Sequence, residues 1–491
     1  MSALRRWLLK PLIYLAALAA TVLITIILVF AVQARLRLPE LQAWHRIALS
    51  GEFRADGVVA SFAEYRALEE RLFNELRERL LNDPDASDTF ALGRYNPASE
   101  VSRLAFDTPH NRSFELAPDG ETRGAVLLVH GLTDSPYMLR HVAEVFRSQG
   151  YHVVVLRMPG HGTVPAALVD VRWEDWHAAV LLAARYTAGV AGPDRPFLVG
   201  GFSTGAALVS LYSVQALDDP GLRAPDGLYL LSAAIGISPF AVLTNVVSGL
   251  AFLPPFEKAR WLDVLPEYEP YKYNSFPVNA ANQIYGLTRA LDEALQDAEG
   301  AGRLAEMAPV VMFQSIVDST VVAADVIRGM LNRLPRGGHE LVVFDVNRNA
   351  LSQGLLAPGP LEDLERLRNA TDNPFAITVI GNAAPDSRAV AAYRREAGTR
   401  EVIVTDLPLA WPPSVFSLGH LALPMPVDDP VLGLVPAPDA LPRYNLGGVA
   451  LRGESGALIL PMGTFARIRS NPFFDVVRDT ITARLQQSPS R

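Results

Sequence analysis

The 491-residue chain contains no cysteine. That absence excludes disulfides, thiolate metal sites, a cysteine nucleophile and a lipid-anchored N-terminal cysteine together. Positive charge is also in deficit, with 44 Lys and Arg against 52 Asp and Glu. No basic stripe offsets the balance, so no nucleic-acid partner is expected. Long low-complexity tracts are missing too. With 49% hydrophobic and 20% charged residues the composition is that of a folded, globular chain.

Charge is absent altogether from Pro11 to Ala34, which reads PLIYLAALAATVLITIILVFAVQA. At about 1.5 Å per helical residue such a run spans a hydrocarbon core of about 30 Å. Val32-Gln33-Ala34 resembles a signal-peptidase site, yet the run exceeds the roughly 7–15 apolar residues of a cleaved signal. Residues 1–38 are therefore expected to be an uncleaved signal anchor, a single transmembrane helix. Arg5, Arg6 and Lys10 precede the run while Arg35 and Arg37 follow it. This slight positive-inside bias puts the bulk of the chain outside the cytoplasm, on the periplasmic side in a Gram-negative cell. Residues 39–100 read as a helical spacer. Ser61-Phe62-Ala63-Glu64 has capping-box form, and Leu68, Leu72, Leu76 and Leu80 follow at helical spacing.

From about Gly124, short apolar runs alternate with amphipathic stretches, the pattern of parallel strands joined by crossover helices. The runs are Ala125-Val129, Val153-Leu156, Phe197-Val199 and Leu228-Leu231, and the helical stretches begin near Pro136, Trp173 and Thr204. In a doubly wound sheet of this kind ligands sit at the carboxyl ends of the strands. At one such end lies Gly201-Phe202-Ser203-Thr204-Gly205. A G-x-S-x-G between strand and helix is a nucleophile elbow, a sharp turn that lifts the serine Oγ out of the sheet. At another lies His130-Gly131-Leu132, where glycine lets the backbone turn an N–H into the cleft. The expected oxyanion hole comprises the backbone N–H groups of Leu132 and Thr204.

A serine hydroxyl attacks efficiently only when a histidine accepts its proton and a carboxylate orients that histidine. In an α/β-hydrolase fold the acid and then the histidine follow the serine. Beyond Ser203 stand only His339 and His420. His339 opens the strand-like run Glu340-Phe344, the wrong end for the active-site face. His420 lies in SLGHLALP after the strand-like Glu401-Thr405, and it is the expected base. For the acid, Asp318 follows the apolar run in PVVMFQSIVDSTVV, with Asp345 as the rival. His130 and His161 read as structural.

These residues resemble the monoacylglycerol-lipase-like branch of the α/β hydrolases, whose members are also called serine aminopeptidase or lysophospholipase-like hydrolases. The likeness rests on HGLTDSP, LRMPGHGTVP, the helix at Trp173-Glu174-Asp175-Trp176, GGFSTGA and SIVDSTVV, covering roughly Arg123 to Val322 and resuming near His420. It implies carboxylic-ester hydrolysis without metal or organic cofactor, with Ser203, Asp318 and His420 as the triad. The expected domain is residues 101–491, with a helical cap at about 238–306, an extra insertion at about 336–400, and a proline-rich surface connection from Met425 to Pro442. The cap's aromatics, among them Phe240, Phe252, Trp261, Tyr268, Tyr271 and Tyr273, would line an apolar pocket for a small amphiphilic ester. An acyltransferase or a serine peptidase would share every residue named. A non-catalytic membrane-tethered binding module would not need all three.

Overall fold

The computed structural model describes residues 10, 13–18, 21–22, 25, 29, 32, 38–82, 88–235, 254–318, 320–348, 358–370, 372–413, 415–438, 444–449 and 467–487. Its centre is a ten-stranded sheet. The strands in chain order are β1 (Phe114–Leu116), β2 (Gly124–Val129), β3 (Tyr151–Leu156), β4 (Phe197–Phe202) and β5 (Gly227–Leu231). A separate two-stranded ribbon of β6 (Trp261–Asp263) and β7 (Phe276–Pro277) intervenes. Then come β8 (Val310–Ser315), β9 (Glu340–Phe344), β10 (Ala376–Asn382), β11 (Ala389–Arg395) and β12 (Ile403–Ala410). The order across the sheet is β1-β3-β2-β4-β5-β8-β9-β10-β11-β12. From β3 to β10 all neighbours are parallel, and β1, β11 and β12 add antiparallel edges.

The central strands are buried along their whole length, which is why they read as continuous apolar runs rather than alternating ones. Helices cover both faces. On one face lie α1 (Phe62–Asn82), α4 (Trp173–Ala191), α5 (Thr204–Gln215), α6 (Val278–Gly300) and the short α7 (Ala323–Val326). The short α2 (Glu100–Phe106) joins the N-terminal end of that layer, and α8 (Pro358–Asn369) adds Leu364 and Leu367 beside β10. On the other face are α3 (Arg140–Ser148) and α9 (Phe474–Gln487), packed with Trp411 and Phe473. Helix α5 is buried from Thr204 to Val214, so it needs the apolar-all-round sequence AALVSLYSV. The free edge β12 carries Asp406 and Pro408 on a largely exposed strand, features that discourage pairing with another chain.

The expectations for the spacer and the cap change. The spacer of 39–100 is part of the body: Leu68, Leu72, Leu76 and Leu80 are buried. Glu69 on the same helix meets Arg157 beyond β3 at 3.1 Å. An amphipathic stripe says that a helix packs but not on what. Of the cap expected at 238–306, residues 238–253 lie outside the described residues, and α6 lays Leu287, Leu291 and Leu295 into the core beside α5, as a crossover helix rather than a lid. Trp261, Tyr268, Tyr271 and Tyr273 are themselves buried, filling their own packing. The insertion of 336–400 widens the sheet through β9, β10 and β11. The expected transmembrane segment falls largely outside the described residues. Among those described, no helix is long and apolar enough to cross a membrane.

The proline-rich stretch from Met425 is irregular, as expected, but it is no surface connection. Val431 and Leu432 pack with Tyr137, Met138, Tyr268 and Tyr271. Asp429 organises it: Oδ1 accepts from the N–H groups of Val431 at 2.9 Å and Leu432 at 2.7 Å. Oδ2 accepts from His141 Nε2 at 2.8 Å and from Arg140. Burial alone would raise this carboxyl, but His141, Arg140 and the Leu432 N–H hold it at about 2, below its ordinary 3.8. A depressed carboxylate contributes stability above its unfolded value that fades as pH falls through the folded one. Asp429→Asn should therefore cost about 2–4 kcal/mol near neutrality. The gap from wild type should narrow as pH falls from 5 toward 2, measured by chemical denaturation at each pH.

Candidate active site

Helix α5 can start directly after β4 only because two glycines stand at the turn. A Cβ on Gly201 would come within 2.4 Å of Gly205 C, and one on Gly205 within 2.0 Å of Val129 O. Ser203 between them has φ 54° and ψ −116°. Its N–H donates to Leu231 O at 2.9 Å and its carbonyl accepts from Ala234 N at 3.1 Å, so neighbouring strands hold the strain. Thr133 and Ser232 are the other non-glycine residues at positive φ among those described. All three follow the carboxyl ends of adjacent strands β2, β4 and β5, and such clustering marks a functional site.

The structure brings Asp318 and His420 together across 102 positions, with His420 Nδ1 2.7 Å from Asp318 Oδ2. An ionised carboxylate only accepts, so Nδ1 is the donor and Nε2 is the ring nitrogen that faces away from the acid. Gln314 Nε2 donates to the same Oδ2 at 3.2 Å. The N–H groups of Thr320 and Val321 donate to Oδ1 at 2.8 and 2.9 Å. Burial would raise Asp318, but His420 and the two backbone donors outweigh it and hold the carboxyl below its ordinary value. Ser315 Oγ, at the end of β8, donates to Leu418 O at 2.9 Å, which anchors the histidine loop to the strand that precedes the acid.

His420 reaches the elbow through Phe202, whose ring centroid lies 5.0 Å from its own. Among the described residues no hydrogen bond joins His420 to Ser203 Oγ, and without substrate such contacts are commonly loose. Neither the Leu132 N–H nor the Thr204 N–H has an acceptor among the described residues. The Thr204 N–H opens α5, where the helix dipole favours negative charge. The other candidates are engaged elsewhere. His339 Nδ1 accepts from Val310 N at 3.1 Å at the amino end of β8. Asp345 is taken by Arg348 Nε at 2.7 Å. His130 Nε2 accepts from Met158 N at 3.1 Å, which leaves Nδ1–H for Gly131 O at 2.8 Å. Burial lowers this ring to about 3, so it stays neutral.

The serine–histidine hydrogen bond that does form, His45 Nε2 to Ser275 Oγ at 2.9 Å, is a latch rather than a nucleophile–base pair. Gln42 N–H donates into His45 Nδ1 at 2.9 Å, so Nε2 holds the proton and cannot take one from the serine. Among the described residues no group of His, Asp and Glu is arranged to hold a metal. Sequence reasoning missed Gln314, Ser315 and the pair Asp134–Lys272, at 2.7 Å. Each is an ordinary polar residue whose partner is set by the fold.

Residues 120–346 match the family model described as serine aminopeptidase, S33. The thermostable monoacylglycerol lipase of Bacillus sp. (strain H-257) is 42% identical over 55 residues, 11% of this chain and 22% of that one. The monoacylglycerol lipase of Mycolicibacterium smegmatis is 31% identical over 197 residues, 36% of this chain and 66% of that one. The chain thus spans less than two thirds of either relative. The monoacylglycerol lipase structure from Paleococcus ferrophilus shares 18% identity over 48% of this chain and 88% of its own, with a TM-score of 0.35. Over residues 120–346 the chain is thus similar to the serine aminopeptidase S33 family of α/β hydrolases, and within it to monoacylglycerol lipases.

Proposed function

We propose that the protein is a membrane-tethered serine hydrolase that cleaves carboxylic esters of single acyl chains through an acyl-enzyme. The observation that carries this reading is the Asp318–His420 contact beside the Ser203 elbow. In the reading, His420 Nε2 takes the Ser203 Oγ proton as Oγ attacks the ester carbonyl. The Leu132 and Thr204 N–H groups receive the oxyanion, and the imidazolium, steadied by Asp318, returns the proton to the departing alcohol. Water then repeats the sequence and frees the acid.

The match to relatives named as monoacylglycerol lipases favours an ester over a peptide, and Leu132, Ile235, Ile316 and Val317 supply apolar surface near the strand ends. Ser203→Ala should abolish covalent labelling by a fluorophosphonate and lower ester hydrolysis by on the order of 10⁴–10⁶. Undiminished labelling of the variant would remove Ser203 from the mechanism. Across p-nitrophenyl esters of two to sixteen carbons, kcat/KM should peak above acetyl, since each buried methylene contributes roughly 0.8 kcal/mol. A steady fall from acetyl upward would exclude a lipid-like ester.

The tether reading rests on the charge-free run from Pro11 to Ala34. It also rests on the exposed apolar side chains of Ile13, Tyr14, Leu15, Leu18 and Val22. The Thr21 and Thr25 hydroxyls donate to the carbonyls of Ala17 and Thr21 at 2.9 and 2.8 Å, which removes their polarity from an apolar surround. The catalytic domain would lie outside the cytoplasm. The chain should stay in the membrane fraction after alkaline and high-salt washing. A washed-off soluble form beginning near Arg35 would identify a cleaved signal instead.

A further inference from the structure

The loop after β2 that carries Leu132 is held from outside the sheet by one side chain. Lys272 Nζ donates to Thr133 Oγ1 at 2.7 Å, to Asp134 Oδ1 at 2.7 Å and to Leu132 O at 3.5 Å. An ammonium has three N–H donors, and here all are aimed at consecutive residues. The next residue adds a fourth tie, with Tyr273 N–H donating to Thr133 O at 2.8 Å.

The loop needs such ties. Thr133 has φ 64°, a left-handed conformation that a β-branched residue rarely adopts. Gly131 is equally confined, because a Cβ there would lie 2.6 Å from Asp134 Oδ2 and 3.1 Å from the Phe202 ring. Asp134 is 1% exposed, and an unpaired carboxylate at that depth would be strongly disfavoured. Lys272 supplies the countercharge from the segment between β6 and β7, 138 positions away in sequence.

We propose that Lys272 is a positioning residue for the oxyanion hole: its ammonium fixes the backbone of residues 132–134 so that the Leu132 N–H is presented to the Ser203 elbow. The inference rests on the reading of Ser203 and Leu132 above. Lys272 acts through the loop, so it bears on the transition state, where the oxyanion forms, more than on substrate binding. Arginine is a poor substitute, since its planar fork cannot reproduce three donors converging from one nitrogen.

The test uses the full chain and p-nitrophenyl butyrate. Lys272→Met should lower kcat by about 10–100-fold while KM changes by no more than about threefold. Lys272→Gln replaces it if the methionine variant does not fold. Because the chain has no cysteine, Lys272→Cys creates a single thiol that 2-bromoethylamine converts into a side chain of lysine-like length and charge. That treatment should recover most of kcat, whereas iodoacetamide, which adds a neutral amide, should not. A wild-type kcat in Lys272→Met, a loss confined to KM, or no recovery on aminoethylation would each overturn the proposal. Fluorophosphonate titration of the unmodified protein keeps the two readings apart. If Ser203 is not labelled, the reading of the site has failed; if it is labelled while the Lys272 variants turn over normally, only the role of Lys272 has failed.

Discussion

Everything at the carboxyl edge of the sheet depends on how closely the start of α5 approaches the ends of β2 and β4. Gly205 lies against the carbonyls of Val129 and His130, where a Cβ would come within 2.0 and 2.5 Å of their oxygens. The contact forces Ser203 into its strained turn and sets the Thr204 N–H at the head of the helix. Any larger residue would push the helix back and relax the serine. The strain is borne by ordinary backbone bonds to β5 and the residues after it, so it is distributed rather than absorbed at one point.

A second layer of constraint is electrostatic and comes from outside the matched region as well as within it. Glu52 and Glu69 close on Arg157 at 3.0 and 3.1 Å, just past β3. Burial pushes Glu69 up to about 7 against the pull of Arg157. Glu52 also accepts from Gly160 N at 3.0 Å. Asp429 and Arg140 tie the late loop to α3, and Lys272 ties the loop after β2 to the β6–β7 segment. Breaking such a buried pair leaves a stranded charge, which costs far more than the intact pair contributes. These pairs specify which loop lies on which.

The parts legible in sequence were those whose signal is local. Central parallel strands are buried on both faces and so appear as unbroken apolar runs, as in β2 and β9. The elbow declares itself because the turn admits so few residues. His420 stands out because the chain has few histidines and the other downstream one sits at the amino end of a strand. Strands β1 and β11 are not legible, because one is only Phe114–Leu116 and the other is an alanine-rich strand without clean alternation. The packing of α1 and the partners of Asp134, Gln314 and Asp429 escaped for a different reason. A periodic stripe or a lone polar residue fixes its own burial but not the address of its partner.

The position of the histidine loop has a consequence for biogenesis. The family match ends at residue 346, yet the ring that meets Asp318 arrives only at residue 420, after β10, β11 and β12 have been added to the sheet. A nascent or proteolysed chain ending between those two points would still contain the whole matched region, the elbow and the acid, but no imidazole for Asp318. The added meander thus acts as a completion check: the Asp318–His420 pair cannot form until β10, β11 and β12 have been made.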